Sequence, residues 1–267
     1  MSHHVLVFDS GVGGLSVVAE IRKRLPGVHL SYAADDEFRP YGNKTENQLR
    51  RRLPGLLQTL VLMLNPDVVV VACNTASTIA LEAIRDVIDI PVIGVVPAIK
   101  PAAESSRMGA IGVLGTPGTV KQKYVDALIA DFAADCRVVL QGSTRLVVQA
   151  EQKLAGKDVD MDVIRAEVAP IFAGRTGMDI DAVVLACTHF PLLRDELKQA
   201  VRQSVQWIDS GEAIARRLED VLKNISEAGA PPYPQTAFLI GPDTDPIRGQ
   251  AFATYGFPRT IGLMRDE

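Results

Sequence analysis

The sequence predicts an α/β protein built on parallel sheets, and three observations carry that prediction. Short, nearly continuous apolar runs rich in β-branched residues recur along the chain. Stretches of helical period separate them. At 267 residues, with 47% apolar and 22% charged side chains, the chain has the length and composition for a sizeable core. Continuous apolar runs suit strands covered by helices on both faces, which is the parallel-sheet arrangement. The length allows one large domain or two of about 100–150 residues each.

Taken in order, the runs at 5–8, 30–33, 68–72, 92–96, 110–114, 137–140, 182–186, 205–208 and 237–240 read as strands. Helices are expected between them. Leu49, Leu53, Leu56, Leu57, Leu60 and Leu64 recur at three- and four-residue intervals, as do Ile79, Ala80, Ala83, Ile84 and Val87, and later Ile214, Leu218 and Leu222. Pro231-Pro232-Tyr233-Pro234 is a loop before the last strand, since proline cannot continue a ladder. Val96-Pro97-Ala98 and the region around Gln203-Ser204 look like crossings between halves. The expected domains are 1–96 together with 205–267, carrying Asp9 and Cys73, and 97–204, carrying Cys187 and His189.

Two internal echoes support that division. Val68-Val69-Val70-Val71-Ala72-Cys73-Asn74-Thr75 reappears as Asp181-Ala182-Val183-Val184-Leu185-Ala186-Cys187-Thr188. Val7-Phe8-Asp9-Ser10-Gly11 is echoed by Val113-Leu114-Gly115-Thr116-Pro117. Two topologically similar halves, with equivalent strand ends at a shared cleft, would account for both.

Charge and composition exclude several classes. With 28 Lys+Arg against 32 Asp+Glu the net charge is −4, so no basic excess draws the chain to nucleic acid or to a membrane surface. Arg50-Arg51-Arg52 reads as a solvated helix face. The longest apolar run is far short of the roughly twenty residues a membrane span needs. The start, Met1-Ser2-His3-His4, has no basic leader region or small-residue cleavage site, so a cytoplasmic protein is expected. Three widely spaced cysteines, Cys73, Cys136 and Cys187, are not a disulfide framework.

In open α/β sheets, ligands bind beyond the carboxyl ends of the strands. Four polar turns are expected there: Asp9-Ser10-Gly11, Cys73-Asn74-Thr75, Thr116-Pro117-Gly118 and Cys187-Thr188-His189. Helices starting after them would aim free N–H groups at a small anion such as an amino-acid carboxylate. Gly11-Val12-Gly13-Gly14 gives close backbone access but matches neither nucleotide-binding glycine motif.

A cysteine at a helix N-terminus has a stabilised thiolate. Most isolated cysteines are small buried hydrophobes, and Cys136 is read that way. Cys73 and Cys187, at matching strand ends and flanked by amide or hydroxyl side chains, fit that reading poorly. A zinc site or a thioredoxin-type pair would need a C-x₂₋₄-C spacing that the chain lacks. In a cysteine–histidine hydrolase, His189 would be poorly placed against Cys187 for an i, i+2 dyad on one strand. Two thiols instead suit inversion at an α-carbon, where one group removes a proton from one face and another delivers a proton to the opposite face. Neither a metal nor pyridoxal phosphate is required. Ser10, Asn74, Thr75 and Thr188 are candidate donors to the developing negative charge.

Four motifs, Val7-Phe8-Asp9-Ser10-Gly11-Val12-Gly13-Gly14-Leu15, Pro40-Tyr41-Gly42-Asn43-Lys44, Ala72-Cys73-Asn74-Thr75-Ala76-Ser77 and Ala186-Cys187-Thr188-His189-Phe190-Pro191-Leu192-Leu193, resemble those of the bacterial glutamate racemase family. Pro91-Val92-Ile93-Gly94-Val95 and Ile208-Asp209-Ser210-Gly211 match as well, so the resemblance spans nearly the whole chain in order. It implies the cofactor-independent aspartate/glutamate racemase fold, two pseudo-symmetric α/β domains with the active site between them. It also implies free L- or D-glutamate as the small-molecule substrate, D-glutamate for peptidoglycan as the product's use, and an assembly compatible with a homodimer.

The resemblance makes Cys73 and Cys187 the acid/base pair, assisted by Asp9 and His189 respectively. It puts substrate contacts on Asp9, Ser10, Tyr41, Gly42, Asn74, Thr75, Thr188 and His189. Asp9 also suits a helix N-cap, Tyr41-Gly42 a plain turn, and Glu151 matches a further family carboxylate. The chain departs from the family at Gln141-Gly142-Ser143 and at Ala33-Ala34-Asp35-Asp36-Glu37-Phe38. An aspartate racemase is the alternative within the same class, and a non-catalytic binding protein on the same fold is the alternative outside it.

Overall fold

Each apolar run becomes a parallel strand, and the strand ends set where chemistry can occur. The computed structural model describes residues 3–226, 229, 231–241 and 246–263, the last without the side chains of 246–248. Met1 and Ser2, and 227, 228, 230, 242–245 and 264–267 of the expected first domain, lie outside the described residues. The chain separates into two compact units, one of Met1–Val95 with Gly211–Glu267 and one of Val96–Ser210.

The first unit holds β1 (His4–Asp9), β2 (His29–Ala34), β3 (Val68–Val71) and β4 (Val92–Gly94), joined by α1 (Leu15–Arg24), α2 (Glu46–Leu64) and α3 (Asn74–Arg85). The second holds β5 (Ala110–Gly115), β6 (Arg137–Gly142), β7 (Ala182–Ala186) and β8 (Gln206–Ile208). The chain then returns to the first unit through the helix Gly211–Leu222, β9 (Thr236–Ile240), the helix Pro246–Thr254 and β10 (Arg259–Leu263). The six-stranded sheet runs β10-β9-β2-β1-β3-β4 and the four-stranded one β6-β5-β7-β8. Every pairing is parallel, so within each sheet all carboxyl ends share one edge.

Both sheets contain the same local order, second strand, first, third, fourth. The echoed segments occupy equivalent places in it. Phe8 pairs with Val71 between β1 and β3, and Leu114 with Leu185 between β5 and β7. Asp9 therefore corresponds to Gly115, Ser10 to Thr116, and Cys73 to Cys187.

Packing explains the periodicities. The six leucines of α2 are all buried against β1, β3 and α3, together with Phe8, Val69, Val71 and Ile84. Thr45 starts α2 with a reciprocal cap: its Oγ1 accepts the Gln48 N–H at 3.3 Å, and Gln48 Oε1 accepts the Thr45 N–H at 2.9 Å. Ile214, Leu218 and Leu222 are the buried stripe of the helix Gly211–Leu222. No helix of the described residues is long and apolar enough to cross a membrane.

Four expectations are corrected. The return to the first unit comes at Gly211 rather than at 205 or near Gln203-Ser204, because β8 pairs with β7 and so stays in the second sheet. β10 was not expected; it is a partly exposed edge strand without a continuous apolar run. Val87 lies beyond the end of α3 and is exposed, so the buried stripe ends at Ile84. Arg52 is not on a solvated face: only 13% of its side chain is accessible, and it is paired with the fully buried Asp35.

Candidate active site

The predicted residues gather at two strand edges, one in each unit. In the first unit, β1 ends at Asp9, which is fully buried. Its Oδ1 accepts the Ser10 N–H at 2.8 Å and, more weakly, the Ser10 hydroxyl at 3.4 Å; its Oδ2 accepts the Gly14 N–H at 2.7 Å. The carboxylate thus fixes the Ser10–Gly14 loop and serves the first turn of α1 from five residues upstream, so the capping role joins any chemical one. Gly14 must be glycine for lack of room. A Cβ there would lie 2.8 Å from the Tyr32 hydroxyl, 3.0 Å from Asp9 Cβ and 3.1 Å from Ala72 Cβ.

Cys73 follows β3 and is the N-cap residue of α3, with an extended backbone and a buried side chain. A thiolate at this end of a twelve-residue helix is stabilised by the helix dipole. The Cys73 thiol donates to Ser10 Oγ at 3.8 Å, and Ser10 in turn donates to Asp9. A thiol–hydroxyl–carboxylate chain results, a short path for a proton.

Asn74 and Thr75, the next two residues, are buried in the first turn of α3. Asn74 Nδ2 is buried and has no hydrogen-bond partner among the described residues. A buried amide donor left unspent costs about 1–3 kcal/mol, which a bound acceptor would recover. Ser77 holds the turn in place: its hydroxyl donates to the Val71 carbonyl at 3.1 Å and accepts the Val95 N–H at 3.0 Å.

Tyr41 and Gly42 sit in a single 3₁₀ turn, Tyr41–Asn43. Tyr41 is buried, and its hydroxyl donates to Asp35 Oδ2 at 2.6 Å, while Gly42 is half-buried. Burial, then the nearby Asp35 and Cys73 charges, push the Tyr41 phenol well above its ordinary range. Tyr32 is pushed up by burial, Asp9 and Cys73, and its hydroxyl donates to the Gly11 carbonyl at 2.8 Å. Both phenols therefore stay protonated and act as donors.

In the second unit, Cys187 follows β7. The chain then leaves the strand through Thr188 and His189 into the 3₁₀ turn Phe190–Leu193, not into an α-helix as expected. His189 has helical backbone angles, and the Phe190 N–H closes onto the Cys187 carbonyl at 3.0 Å. That tight turn swings the imidazole back, placing His189 Nδ1 3.8 Å from Cys187 Sγ. The expected obstacle to an i, i+2 pairing is thus removed, since the two residues do not share a strand. His189 Nε2 lies 3.6 Å from Glu151 Oε1, and Cys187, Thr188 and His189 are all buried.

Glu151 is carried by the helix Arg145–Leu154. Lys153 on that helix ties it to the 3₁₀ turn by donating to the Leu192 carbonyl at 2.9 Å and pairing with Glu196 at 2.8 Å. Ser143, one of the departures from the family pattern, is buried, and its Oγ accepts the Leu146 N–H at 3.1 Å at the start of this helix. Cys136 is partly buried against the second unit's core, consistent with packing alone.

The two edges share a scaffold and differ in chemistry. Where the first has Asp9, the second has Gly115; where the second has His189, the first has Thr75. One thiol is served by a helix N-terminus with a hydroxyl and carboxylate, the other by an imidazole and carboxylate. Sequence reasoning missed Tyr32, Asp35 and Arg52. An acid just past the carboxyl end of β2, one residue beyond the partner of Asp9, is the available signal for Asp35.

Comparison with known proteins gives the family. The family profile "Asp/Glu/Hydantoin racemase" matches residues 14–218. A protein of Shewanella sp. (strain ANA-3) named glutamate racemase is 51% identical over 83% of this chain and 80% of its own length. One of Sphingopyxis alaskensis, with the same name, is 51% identical over 80% of each. The crystal structure of Escherichia coli glutamate racemase, in complex with L-glutamate and the activator UDP-MurNAc-ala, superposes with a TM-score of 0.92 at 42% identity, covering 99% of each chain. With its paired parallel sheets, its two strand-end thiols and this agreement over most of its length, the chain belongs to the Asp/Glu/hydantoin racemase family.

Proposed function

We propose that this racemase interconverts L- and D-glutamate in the cytoplasm by a cofactor-independent, two-base mechanism, supplying D-glutamate for peptidoglycan. The observation that carries the reading is the pair of buried cysteines at equivalent strand ends, each backed by its own proton-handling groups. The Escherichia coli relative, which carries L-glutamate, supports glutamate as the substrate.

In this mechanism one cysteine, as thiolate, takes the α-proton. The electron pair passes into the α-carboxylate as a planar carbanion forms. The other cysteine, as thiol, delivers its proton to the opposite face. The products are the other enantiomer and an enzyme with its two protonation states exchanged. Asp9 and Ser10 serve the Cys73 thiol, and His189 the Cys187 thiol. Substrate is held by Asp9, Ser10, Tyr41, Gly42, Asn74, Thr75, Thr188 and His189. The Asn74 amide and the N-terminus of α3 are the fixed donors that meet the growing negative charge, which is the larger part of the catalytic task.

Circular dichroism of L-glutamate and L-aspartate incubated separately with the protein tests the reading. Loss of the L-glutamate signal to zero, with L-aspartate little changed, is expected. Loss of the L-aspartate signal alone would move the chain to the aspartate branch, and an unchanged signal for both would remove the catalytic reading.

A further inference from the structure

Two buried carboxylates, Asp9 and Asp35, stand at the carboxyl ends of adjacent strands on the edge that carries Cys73, and they are held differently. Tyr41 lies close enough to feel both Asp35 and the Cys73 thiol. The Asp35 N–H donates to the Asp9 carbonyl at 3.0 Å, which sets the two residues side by side. Asp9 is held by the backbone N–H groups of Ser10 and Gly14, in the loop that leads into α1. Asp35 is held by a side-chain cation: Arg52 Nε donates to its Oδ2 at 2.7 Å and Arg52 Nη2 to its Oδ1 at 2.6 Å. The Tyr41 hydroxyl completes the set on Oδ2. The guanidinium is itself clamped, lying 4.8 Å over the Phe38 ring and giving a further bond to Glu37 at 2.7 Å. Such a planar fork cannot be reproduced by a neutral side chain, and only in part by lysine.

We propose that Arg52 is a positioning residue of the Cys73 edge: by neutralising Asp35 it commits the Tyr41 hydroxyl to that carboxylate and spares the Cys73 thiol a second uncompensated negative charge. The inference rests on the racemase reading for its purpose, but not for its test. Among the described residues, the groups tied to the Cys73 thiol are Asp9 at the end of β1, reached through Ser10, Tyr32 on β2 and Tyr41 in the turn after it. Behind Tyr41 stand Asp35 after β2, Arg52 from α2 and Glu37, with Lys44 over the Phe38 ring. Removing Arg52 alone leaves the Asp35 carboxyl group buried beside Tyr41 without its cation, so the thiol becomes harder to ionise. Removing both charges together restores neutrality.

The test follows the rate of iodoacetamide alkylation of each cysteine against pH, read by peptide mass spectrometry, so it needs no turnover. Arg52→Gln should raise the pH midpoint for Cys73 by about half a unit to one unit, as for a thiol losing a nearby compensating cation. Arg52→Lys and the neutral pair Asp35→Asn/Arg52→Gln should stay near the wild-type midpoint. Cys136, in the other unit, reports general loosening and should not move. An unmoved Cys73 midpoint in Arg52→Gln, or a midpoint in the neutral pair as displaced as in the single variant, overturns the proposal. So does a Cys136 change that parallels Cys73. If Arg52→Gln does not fold, Asp35→Asn decides the matter: it leaves the Arg52 cation uncompensated, so a Cys73 midpoint lowered by about half a unit to one unit supports the proposal, and an unmoved or raised midpoint overturns it. Failure of wild-type protein to racemise glutamate would refute the functional reading without touching this result.

Discussion

Acidification should destabilise this protein through His4, well away from the strand ends that carry the thiols. His4 begins β1 and is buried, sharing a hydrogen bond with Ser31 Oγ at 2.8 Å through Nε2. The rings of His29 and Tyr233 stand edge-on to it at 5.3 and 6.2 Å, and the His4 backbone N–H donates to Asp67 Oδ2 at 2.7 Å. Burial, followed by the neighbouring His29, lowers the imidazole from 6.5 to about 4, against a weaker upward pull from the Asn65 backbone and Asp67. Above pH 6.5 the ring is neutral in folded and unfolded chains alike, and His4 makes no pH-dependent contribution. Between 6.5 and about 4 the unfolded chain takes up the proton and the folded one does not, so stability falls with pH across that window. At about 1.4 kcal/mol per pH unit, the gap sets an upper bound of about 3 kcal/mol lost by pH 4. Urea unfolding of wild type and His4→Gln at intervals from pH 7.5 to 4.5 measures it. Glutamine can still bond Ser31 but does not titrate. The wild-type curve should fall more steeply below pH 6.5, and the two should run parallel above it. Parallel curves throughout, or wild-type stability that rises on acidification, would refute the reasoning.

Two further outcomes follow from the strand edges themselves. Gly14→Ala pushes a methyl group against Tyr32, Asp9 and Ala72 and should cost about 1–3 kcal/mol in chemical denaturation, with glutamate turnover reduced as the Asp9 loop shifts. A variant as stable and active as wild type would show that the loop has room the distances deny. Glu151→Gln keeps the shape beside His189 and removes the charge, so kcat/KM should fall by about tenfold or more while the melting temperature stays within about 2 °C; unchanged kinetics would leave Glu151 with a packing role only.

The parts of the fold legible in the sequence are those decided by local pattern. The valine run of β3 and the leucine stripe of α2 are buried as their periodicity requires. What pattern could not supply was decided by distant partners. β10 is half exposed and stands as a strand because β9 offers it an edge. β8 belongs with β7 through its pairing register, which a composition change near 203–204 does not report. Arg52 looks like any exposed helix cation until Asp35, seventeen residues earlier, is brought against it. The cysteines and their neighbours were legible because strand-end position follows from the strands. The His189 contact to Cys187 was not, because it depends on a turn that departs from the echo of Cys73 and α3.

In the proposed mechanism two different thiols serve the two faces of one α-carbon. Racemisation of L-glutamate in deuterated water, followed at early times by mass spectrometry of the separated enantiomers, tests it most directly, with Cys73→Ser and Cys187→Ser run beside the wild type. The D-glutamate formed should carry one solvent deuterium while the remaining L-glutamate stays largely unlabelled. Each serine variant should lose racemisation by ~10²–10⁴-fold or more, since proton transfer by a positioned group typically contributes that much. Rapid deuterium uptake into unreacted L-glutamate, or substantial racemisation by either serine variant, would contradict the two-base account.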